Sequence, residues 1–170
     1  MKTICLICFL NLILLTSCET KKNQEDKIQL INTDELIKNN ALKVSLNVGV
    51  AGTLLKKDGN CMPMIGSSNT SCRTYPVIRT ILIYDYTTTN EVDGWGPSYK
   101  SVHSKLIAQC NADQDGFFQV AVDPGKYSIF IKENENFYAN SSDGQGGIHP
   151  ITVENDSVNI MTLVLDYAVY

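Results

Sequence analysis

Seven short segments rich in β-branched and aromatic residues, separated by turn signals, constrain the fold of this chain most strongly. In the first, Val44, Leu46, Val48 and Val50 alternate with small or polar residues, which is the pattern of a half-buried strand. The other segments are at 77–86, 105–110, 118–122, 127–131, 151–153 and 158–166. Short strands at this spacing, without a sustained helical period, predict an all-β fold, a seven-stranded antiparallel Greek-key β-sandwich.

Turn residues connect several of these predicted strands. Asp123-Pro124-Gly125-Lys126 predicts a tight hairpin turn between the segments at 118–122 and 127–131, because Pro presets φ at the first central position and Gly accepts a positive φ at the second. Asp-Gly pairs at 58, 93, 115 and 143 add further turn signals. Three long connections are left, at 55–75, 87–103 and 134–148. Long loops on a rigid sandwich are common places for binding residues, so we expect binding there.

The N-terminus has the charged and apolar regions of a secretory signal. Lys2 precedes an apolar run from Ile4 to Leu15, and its 12 residues are too few for a membrane span, which needs about 20. Leu15-Thr16-Ser17-Cys18 resembles the lipobox of bacterial lipoproteins, in which the signal is cleaved before a lipid-carrying Cys. The resemblance implies a signal peptide at 1–17 and a bacterial cell-envelope protein anchored through Cys18. We expect the outer membrane, on either its periplasmic or its surface face; a soluble secreted protein is the alternative.

Residues 18–43 are polar and rich in Lys, Asn and Glu. Such a stretch cannot bury enough apolar surface to order itself, so we predict a flexible tether. One short helix could start within it at Thr33, with Thr33 or Asp34 as the cap. The predicted domain is then 44–170. The whole chain is mildly acidic, with a formal charge of −4, and this argues against nucleic acid as a partner.

Two segments resemble the carboxypeptidase regulatory-like domain. One runs from Gly49 through a G-x-x-G-T pattern to Pro63, and the other runs from Asn111 to Ile129 with D-x-D-G-x-F and P-G-x-Y. The closing stretch from Phe137 to Val153 is similar to small lipoproteins of this type in Bacteroidota. The resemblance covers nearly all of the predicted domain and implies a transthyretin-like sandwich that serves as an accessory module without catalytic residues. The enlarged loop 59–75 departs from the family.

Three cysteines are left after signal cleavage and lipidation, namely Cys61, Cys72 and Cys110. Cys61 and Cys72 are eleven positions apart in one loop, and a bridge between them would contribute about 2–3 kcal/mol. Two free thiols, or a bond to Cys110, are the alternatives. Zinc is not expected, because there is no C-x-x-C and only His103 and His149 could supply nitrogen.

Aromatic residues in a glycine-rich loop are the main candidates for ligand binding. Trp95 and Tyr99 could stack on a sugar face or anchor a protein contact, or they could fold back onto the core. Tyr138, with Asn140 and Asp143, is a second and weaker candidate. Separately, Asp156-Ser157-Val158 fits the O-glycosylation pattern of Bacteroidota, which makes Ser157 a candidate for modification.

Two further patterns have a structural and a functional interpretation. Asn111-x-Asp113-x-Asp115-Gly116 is similar to the start of a calcium loop, but its twelfth position is Val122 rather than Glu, which favours a plain turn. Lys43 or Lys56 with Asn159 and Glu133 could form an isopeptide bond of the kind found in collagen-adhesin B-type domains. Neither pattern fixes these residues in a site.

The sequence contains no recognised catalytic or cofactor motif: G-x-S-x-G, H-E-x-x-H and a phosphate loop are all missing. We therefore expect a non-catalytic envelope lipoprotein without a cofactor. It would be a binding or structural module that presents loops 59–75 and 87–103 to a glycan or an envelope protein. A docking or folding-aid subunit of a secreted hydrolase complex, or an adhesin-type domain, is the alternative.

Overall fold

The computed structural model describes residues 32–63 and 71–170, which form one helix and eleven strands in two sheets. The helix is α1 (Thr33–Ala41). The strands are β1 (Gly49–Asp58), β2 (Arg73–Pro76), β3 (Thr80–Asp85), β4 (Val92–Trp95), β5 (Ser98–Val102), β6 (Leu106–Asn111), β7 (Phe117–Val120), β8 (Gly125–Glu133), β9 (Asn136–Tyr138), β10 (Pro150–Val153) and β11 (Val158–Asp166). The predicted signal and Cys18 lie outside the described residues. No helix in the described ranges is long and apolar enough to cross a membrane.

The first sheet is built around β1. One side of β1 pairs with β11, and the other pairs with β7 along its first half and with β2 along its second half. The second sheet has the order β4-β5-β9-β8-β3-β6, and β10 pairs with the first half of β8. Core residues come from both sheets, so the predicted all-β sandwich is confirmed.

The predictions of seven strands and of antiparallel pairing throughout need correction. The long connections contain four further strands within the described ranges, β2, β4, β5 and β9, which are short and whose pairing partners the local pattern does not reveal. In addition, β1 and β11 are parallel, from Gly49 beside Val158 to Lys57 beside Asp166. These two strands are neighbours in space but are the first and last of the described strands in sequence. No hairpin turn connects them, so nothing forces them to be antiparallel.

The first predicted strand starts too early. The alternating residues Val44 and Leu46 lie before β1, which begins at Gly49 and continues to Asp58 through what was predicted as a loop. The Ser45 amide donates to the Gln119 side chain at 3.0 Å instead of joining a strand. By contrast, the last predicted strand, 158–166, has the bounds of β11.

Two apolar clusters fill the domain, one on each face of the second sheet. The main core lies between the sheets and includes Ile81 and Ile83 of β3. The alternate residues of the same strand, Leu82 and Tyr84, point to a second core on the outer face. The complete second core is Leu82, Tyr84, Tyr99, Phe130, Ala139 and Ile148. Burial on both faces explains why β3 is an unbroken apolar run rather than an alternating one.

Helix α1 belongs to the folded domain, so the predicted tether at 18–43 extends too far. The side chain of Asn32 caps the helix by accepting the Glu35 amide at 3.3 Å, which places the cap before the predicted Thr33 or Asp34. At the other end, Asn40 is fully buried, and its amide donates to Thr53 Oγ1 at 3.0 Å and to the Asp115 carbonyl at 2.9 Å. A buried polar side chain with two such bonds fixes the helix against β1.

Candidate binding site

The β4–β5 hairpin presents the most exposed large apolar side chain of the described residues. Asp93 lies opposite Ser101, and Trp95 lies opposite Ser98, so Gly96 and Pro97 form the tip. The Trp95 side chain is 90% exposed. Strand β5 also pairs with β9, which makes the hairpin a continuation of the second sheet. The backbone that holds the indole in solvent is therefore fixed by sheet pairing.

Tyr99 is separated from Trp95, although the sequence predicts both as ligand residues. Its ring is 8% exposed and lies edge-on to Phe130, with ring centroids 6.0 Å apart, in the second core. Burial raises the pKa of its hydroxyl. The Tyr99 ring thus anchors the hairpin to the second core. This is the alternative in which the aromatic residue folds back onto the core instead of binding a ligand. Its hydroxyl nevertheless reaches the tip, because a Cβ added to Gly96 would lie 2.7 Å from it.

An open groove of about 380 Å³ begins at the residue after Trp95. It is lined by Gly96, Pro97, Tyr99, Ala139, Asn140, Ser141 and Ser142. The Ala139 amide donates to the Pro97 carbonyl at 2.9 Å, which joins the hairpin tip to the segment after β9. The groove therefore lies between two of the long connections that the sequence predicts as binding loops.

Asp143 organises the loop that follows the groove. Its carboxylate accepts the Tyr86 hydroxyl at 2.6 Å and the amides of Gln145 and Gly147 at 2.9 Å. These bonds, with that from Tyr86 the strongest, hold the pKa of Asp143 well below its ordinary value. Lys126 approaches the same carboxylate at 3.4 Å. Asp143 is thus committed to structure rather than being available to a ligand.

Of the other two residues in that second candidate set, only Asn140 lines the groove. Tyr138 is buried, with 2% of its surface exposed, and its hydroxyl accepts the Asp166 amide at 2.9 Å. Asn140 is exposed, and its amide donates weakly to the Val164 carbonyl at 3.4 Å. The set predicted from sequence is therefore divided between the core, the groove and the loop.

A cluster of Asp93, Ser101 and His103 lies on the same hairpin and was not predicted. Ser101 Oγ donates to Asp93 Oδ2, and His103 Nε2 lies 3.0 Å from the same oxygen and 3.4 Å from Ser101 Oγ. Hydrogen bonds from Ser101 and then His103 lower the pKa of Asp93. The register of Asp93 with Ser101 brings them together, and that register is not readable from local sequence.

These three residue types occur in nucleophilic triads, but this geometry does not match one. In a triad, the base uses one ring nitrogen for the nucleophile and the other for the acid. Here Ser101 and Asp93 both meet Nε2 of His103, and all three side chains are on the solvent-exposed hairpin. The cluster is better described as a polar surface beside the hairpin tip.

The cysteines pair as the spacing favours. Cys61 and Cys72 form a disulfide with Cα atoms 4.8 Å apart, so this prediction is confirmed. Cys110 is a free, partly buried thiol whose pKa is raised to about 11 by burial. The bridge closes loop 59–75 next to the C-terminal segment, where the Cys61 amide donates to the Val169 carbonyl at 2.8 Å.

The calcium-like pattern forms a turn whose carboxylates are bound by a lysine side chain of the same chain. Asp113 Oδ1 accepts the amides of Asp115 and Phe117 at 2.9 Å. The Lys43 ammonium lies 2.7 Å from Asp115 Oδ2 and 3.8 Å from Asp113 Oδ2. A side-chain amine thus lies against both carboxylates that calcium would need. The described residues contain no cluster of three or more groups suited to a metal ion.

The residues considered for an isopeptide bond have other partners. Glu133 binds Arg79 at 2.6 Å, and the Asn159 amide donates to the Thr152 carbonyl at 2.9 Å. Lys43 is engaged by Asp115, and Lys56 lies over the Tyr167 ring at 5.2 Å from its centroid. None of these contacts joins a lysine to Asn159 or Glu133, so the described geometry gives the isopeptide hypothesis no support.

Ser157, the candidate for O-glycosylation, is exposed in the turn between β10 and β11. The preceding Asp156 has a φ of 52°, which places it in the left-handed region that suits a tight turn. A modifying enzyme could therefore reach the Ser157 hydroxyl. Modification of this residue stays a prediction.

No family model, curated protein or solved structure matches this chain. The fold and the candidate site therefore have to be understood from the chain's own residues. The combination that the geometry supports best is the exposed Trp95 with the adjoining groove.

Proposed function

We propose that this chain is a non-catalytic, lipid-anchored binding module of the bacterial cell envelope that presents the Trp95 hairpin to a glycan. The observation that carries the proposal is the exposure of Trp95 on a hairpin fixed by sheet pairing. With 90% of its surface exposed, Trp95 contributes little packing to the fold. A flat indole offers a large, rigid apolar surface to the C–H face of a sugar ring.

The envelope location rests on the lipobox-like residues Leu15-Thr16-Ser17-Cys18. A lipid anchor there would hold the domain at a membrane through its N-terminal segment, since each buried methylene contributes about 0.8 kcal/mol. Protease treatment of intact cells, followed by a blot for the protein, tests whether the protein lies on the surface face or the periplasmic face of the outer membrane. Loss of the protein would support surface display. In a Cys18→Ala variant we expect the protein to leave the membrane fraction; continued membrane association would contradict lipid anchoring.

We further propose that the domain is a diverged transthyretin-like, Greek-key member of the carboxypeptidase regulatory-like family. The Asp115-Gly116 part of its second motif supports this proposal. Gly116 has a φ of 72° in the turn after Asp115, and Phe118 is buried in the main core. The Tyr127 hydroxyl donates to the Asp123 carbonyl at 2.9 Å, which joins the start of β8 to the segment before it. An experimental structure that places β1 and β11 in other positions would contradict the assignment.

The glycan proposal is tested by replacing Trp95 with Ala and measuring binding to an array of polysaccharides. Ile160→Ala is the matched control, because Ile160 is a large exposed apolar residue on β11 of the other sheet. We expect Trp95→Ala to lose binding and Ile160→Ala to keep it. Equal binding by both variants would show that the hairpin is not the site.

A protein partner is the second candidate, and a different surface favours it. The exposed side chains of Tyr167, Val169 and Tyr170 form a patch at the end of β11, where Lys56 lies over the Tyr167 ring and Lys57 over the Tyr170 ring. This patch would suit the docking role in a hydrolase complex. Cross-linking the lipid-anchored protein in cells should then yield a stoichiometric partner, and a Tyr170→Ser variant should lose it while glycan binding is unchanged.

A further inference from the structure

The groove at the hairpin tip begins one residue after the exposed Trp95. Gly96, the next residue, is already part of its lining, and Asn140 and Ser142 line it from the segment after β9. Its volume of about 380 Å³ is near the lower end of the roughly 300–1,000 Å³ of small-molecule sites. We infer that this groove is a subsite for a single neutral sugar unit of the glycan that stacks on Trp95. This inference rests on the proposed function.

The groove offers unused hydrogen-bonding groups. Among the described residues, the hydroxyls of Tyr99, Ser141 and Ser142 have no hydrogen-bond partner. The Tyr99 ring is buried in the second core, but its hydroxyl is not among the buried polar atoms that lack a partner. The hydroxyl is therefore accessible from the groove. A buried ring with an open hydroxyl places one rigid donor at the bottom of the site. Sugar hydroxyls, which both donate and accept, are the complementary chemistry.

Every side chain that lines the groove is neutral. The next acidic residue along the chain, Asp143, is already bonded to Tyr86 and Lys126, and Lys126 in turn is held by that carboxylate. An acidic sugar that entered the groove would lose hydration without gaining a cation, which is costly. The lining therefore selects neutral sugars over uronic or sulfated ones.

Both sides of the groove are held in place by contacts within the fold. The hairpin side of the groove is fixed by the Tyr99 ring against Phe130, and the other side is joined to it by the Ala139 amide on the Pro97 carbonyl. The loop beyond Ser142 is held by the backbone amides of Gln145 and Gly147, which donate to the Asp143 carboxylate. A site that is already formed loses little conformational entropy when a sugar binds.

The test is calorimetry of the full domain with neutral hexasaccharides of glucose, mannose and xylose, and with oligogalacturonate as the acidic counterpart. Tyr99→Phe removes only the groove hydroxyl. Its matched control is Tyr84→Phe, because Tyr84 is buried in the same second core but does not line the groove. We expect Tyr99→Phe to weaken binding of a neutral oligosaccharide about fivefold, the usual effect of one lost hydrogen bond, and Tyr84→Phe to leave it unchanged.

The remaining outcomes separate the two proposals. If Trp95→Ala abolishes binding while Tyr99→Phe and Ser142→Ala both bind as the parent does, the subsite is overturned and the proposed function stands. If Trp95→Ala also binds as the parent does, or if no neutral oligosaccharide binds, both are overturned. Preferential binding of oligogalacturonate overturns the subsite alone. Ser142→Ala keeps the test valid if Tyr99→Phe fails to fold.

Discussion

The loop closed by Cys61 and Cys72 and the hairpin that carries Trp95 are both long connections, but they are held by different forces. A covalent bond closes the first, next to the exposed C-terminal segment. The second is held by backbone pairing of β4 with β5 and of β5 with β9, and by the Tyr99 ring in the second core. The disulfide restricts the unfolded chain, whereas the packed hairpin gives the folded surface a defined shape.

This contrast indicates where binding is to be expected. A crosslink fixes the ends of a loop but not the direction of its side chains. In the hairpin, the same short segment places one aromatic ring inside the fold and another outside it, four residues apart. The inner ring positions the outer one, so the display of Trp95 depends on the packing of Tyr99. Substitutions at Tyr99, at the disulfide, at Asp143 and at Trp95 measure these contributions separately.

The largest effect is expected from removing the inner ring. Tyr99→Ala empties a buried position beside Phe130, and large-to-small changes of aromatic residues in a core cost about 3–5 kcal/mol. We expect the free energy of unfolding to fall by that amount in urea titrations. A loss below about 1 kcal/mol would show that the second core does not hold the hairpin.

Breaking the disulfide should have a smaller effect. The Cys61→Ala, Cys72→Ala double variant removes a crosslink that closes a short loop, and the free energy of unfolding should fall by about 2–3 kcal/mol. Because the hairpin does not depend on this bridge, glycan binding should be unchanged. A parallel loss of binding in the folded variant would show that the two connections are coupled.

Asp143 supports the groove from its far side, and its contribution depends on pH. The pKa of this carboxyl is lowered in the fold from its ordinary value of 3.8. Asp143 therefore stabilises the folded state fully above pH 3.8. As the pH falls below that value, the carboxyl of Asp143 is protonated more readily in the unfolded chain than in the fold, and this stabilisation is lost. The difference in stability between the parent and Asp143→Asn should be constant above about pH 5 and should shrink towards pH 2.

Thermal melts at a series of pH values measure this difference. Asp156→Asn is the matched substitution outside the groove, because Asp156 is an exposed acidic residue in the turn between β10 and β11. A difference between the parent and Asp143→Asn that grows as the pH falls would contradict the hydrogen-bonding role of Asp143.

The smallest effect on stability is expected from the outer ring. Trp95 is exposed, so Trp95→Ala should change the free energy of unfolding by no more than about 0.5 kcal/mol. Urea titration beside Tyr99→Ala measures the contrast between the two rings. A loss of several kcal/mol would mean that Trp95 packs on the fold and is not free to bind.

The sequence predicts the sandwich because its longest strands carry a strong local signal. The β-branched run at 158–166 has the same bounds as β11. The hairpin predicted at Pro124-Gly125 is wrong, because β7 pairs with β1 while β8 belongs to the second sheet, and Gly125 begins β8 without a positive φ. The start of β1 is predicted poorly, because the alternation at Val44 and Leu46 has no neighbouring strand to pair with. A period of two indicates a strand only where a partner is available.

The candidate site is only half readable from the sequence. Trp95 stands out as an aromatic in a glycine-rich segment, and the structure places it in solvent. The burial of Tyr99 depends on Phe130, and the groove depends on Ser142 and its neighbours, all distant in sequence. Because β4, β5 and β9 are short and contain polar or glycine residues, their long-range pairing determines these contacts rather than local propensity.

The most direct test of the account uses the intrinsic fluorescence of the protein, since Trp95 is the chain's single tryptophan. Titration with the neutral hexasaccharide that binds best should move the emission maximum to shorter wavelength, with saturation at the affinity found by calorimetry. A sugar stacked on the exposed indole removes it from water, which gives this result. Calorimetric binding without any change in emission would place the glycan elsewhere and contradict the account.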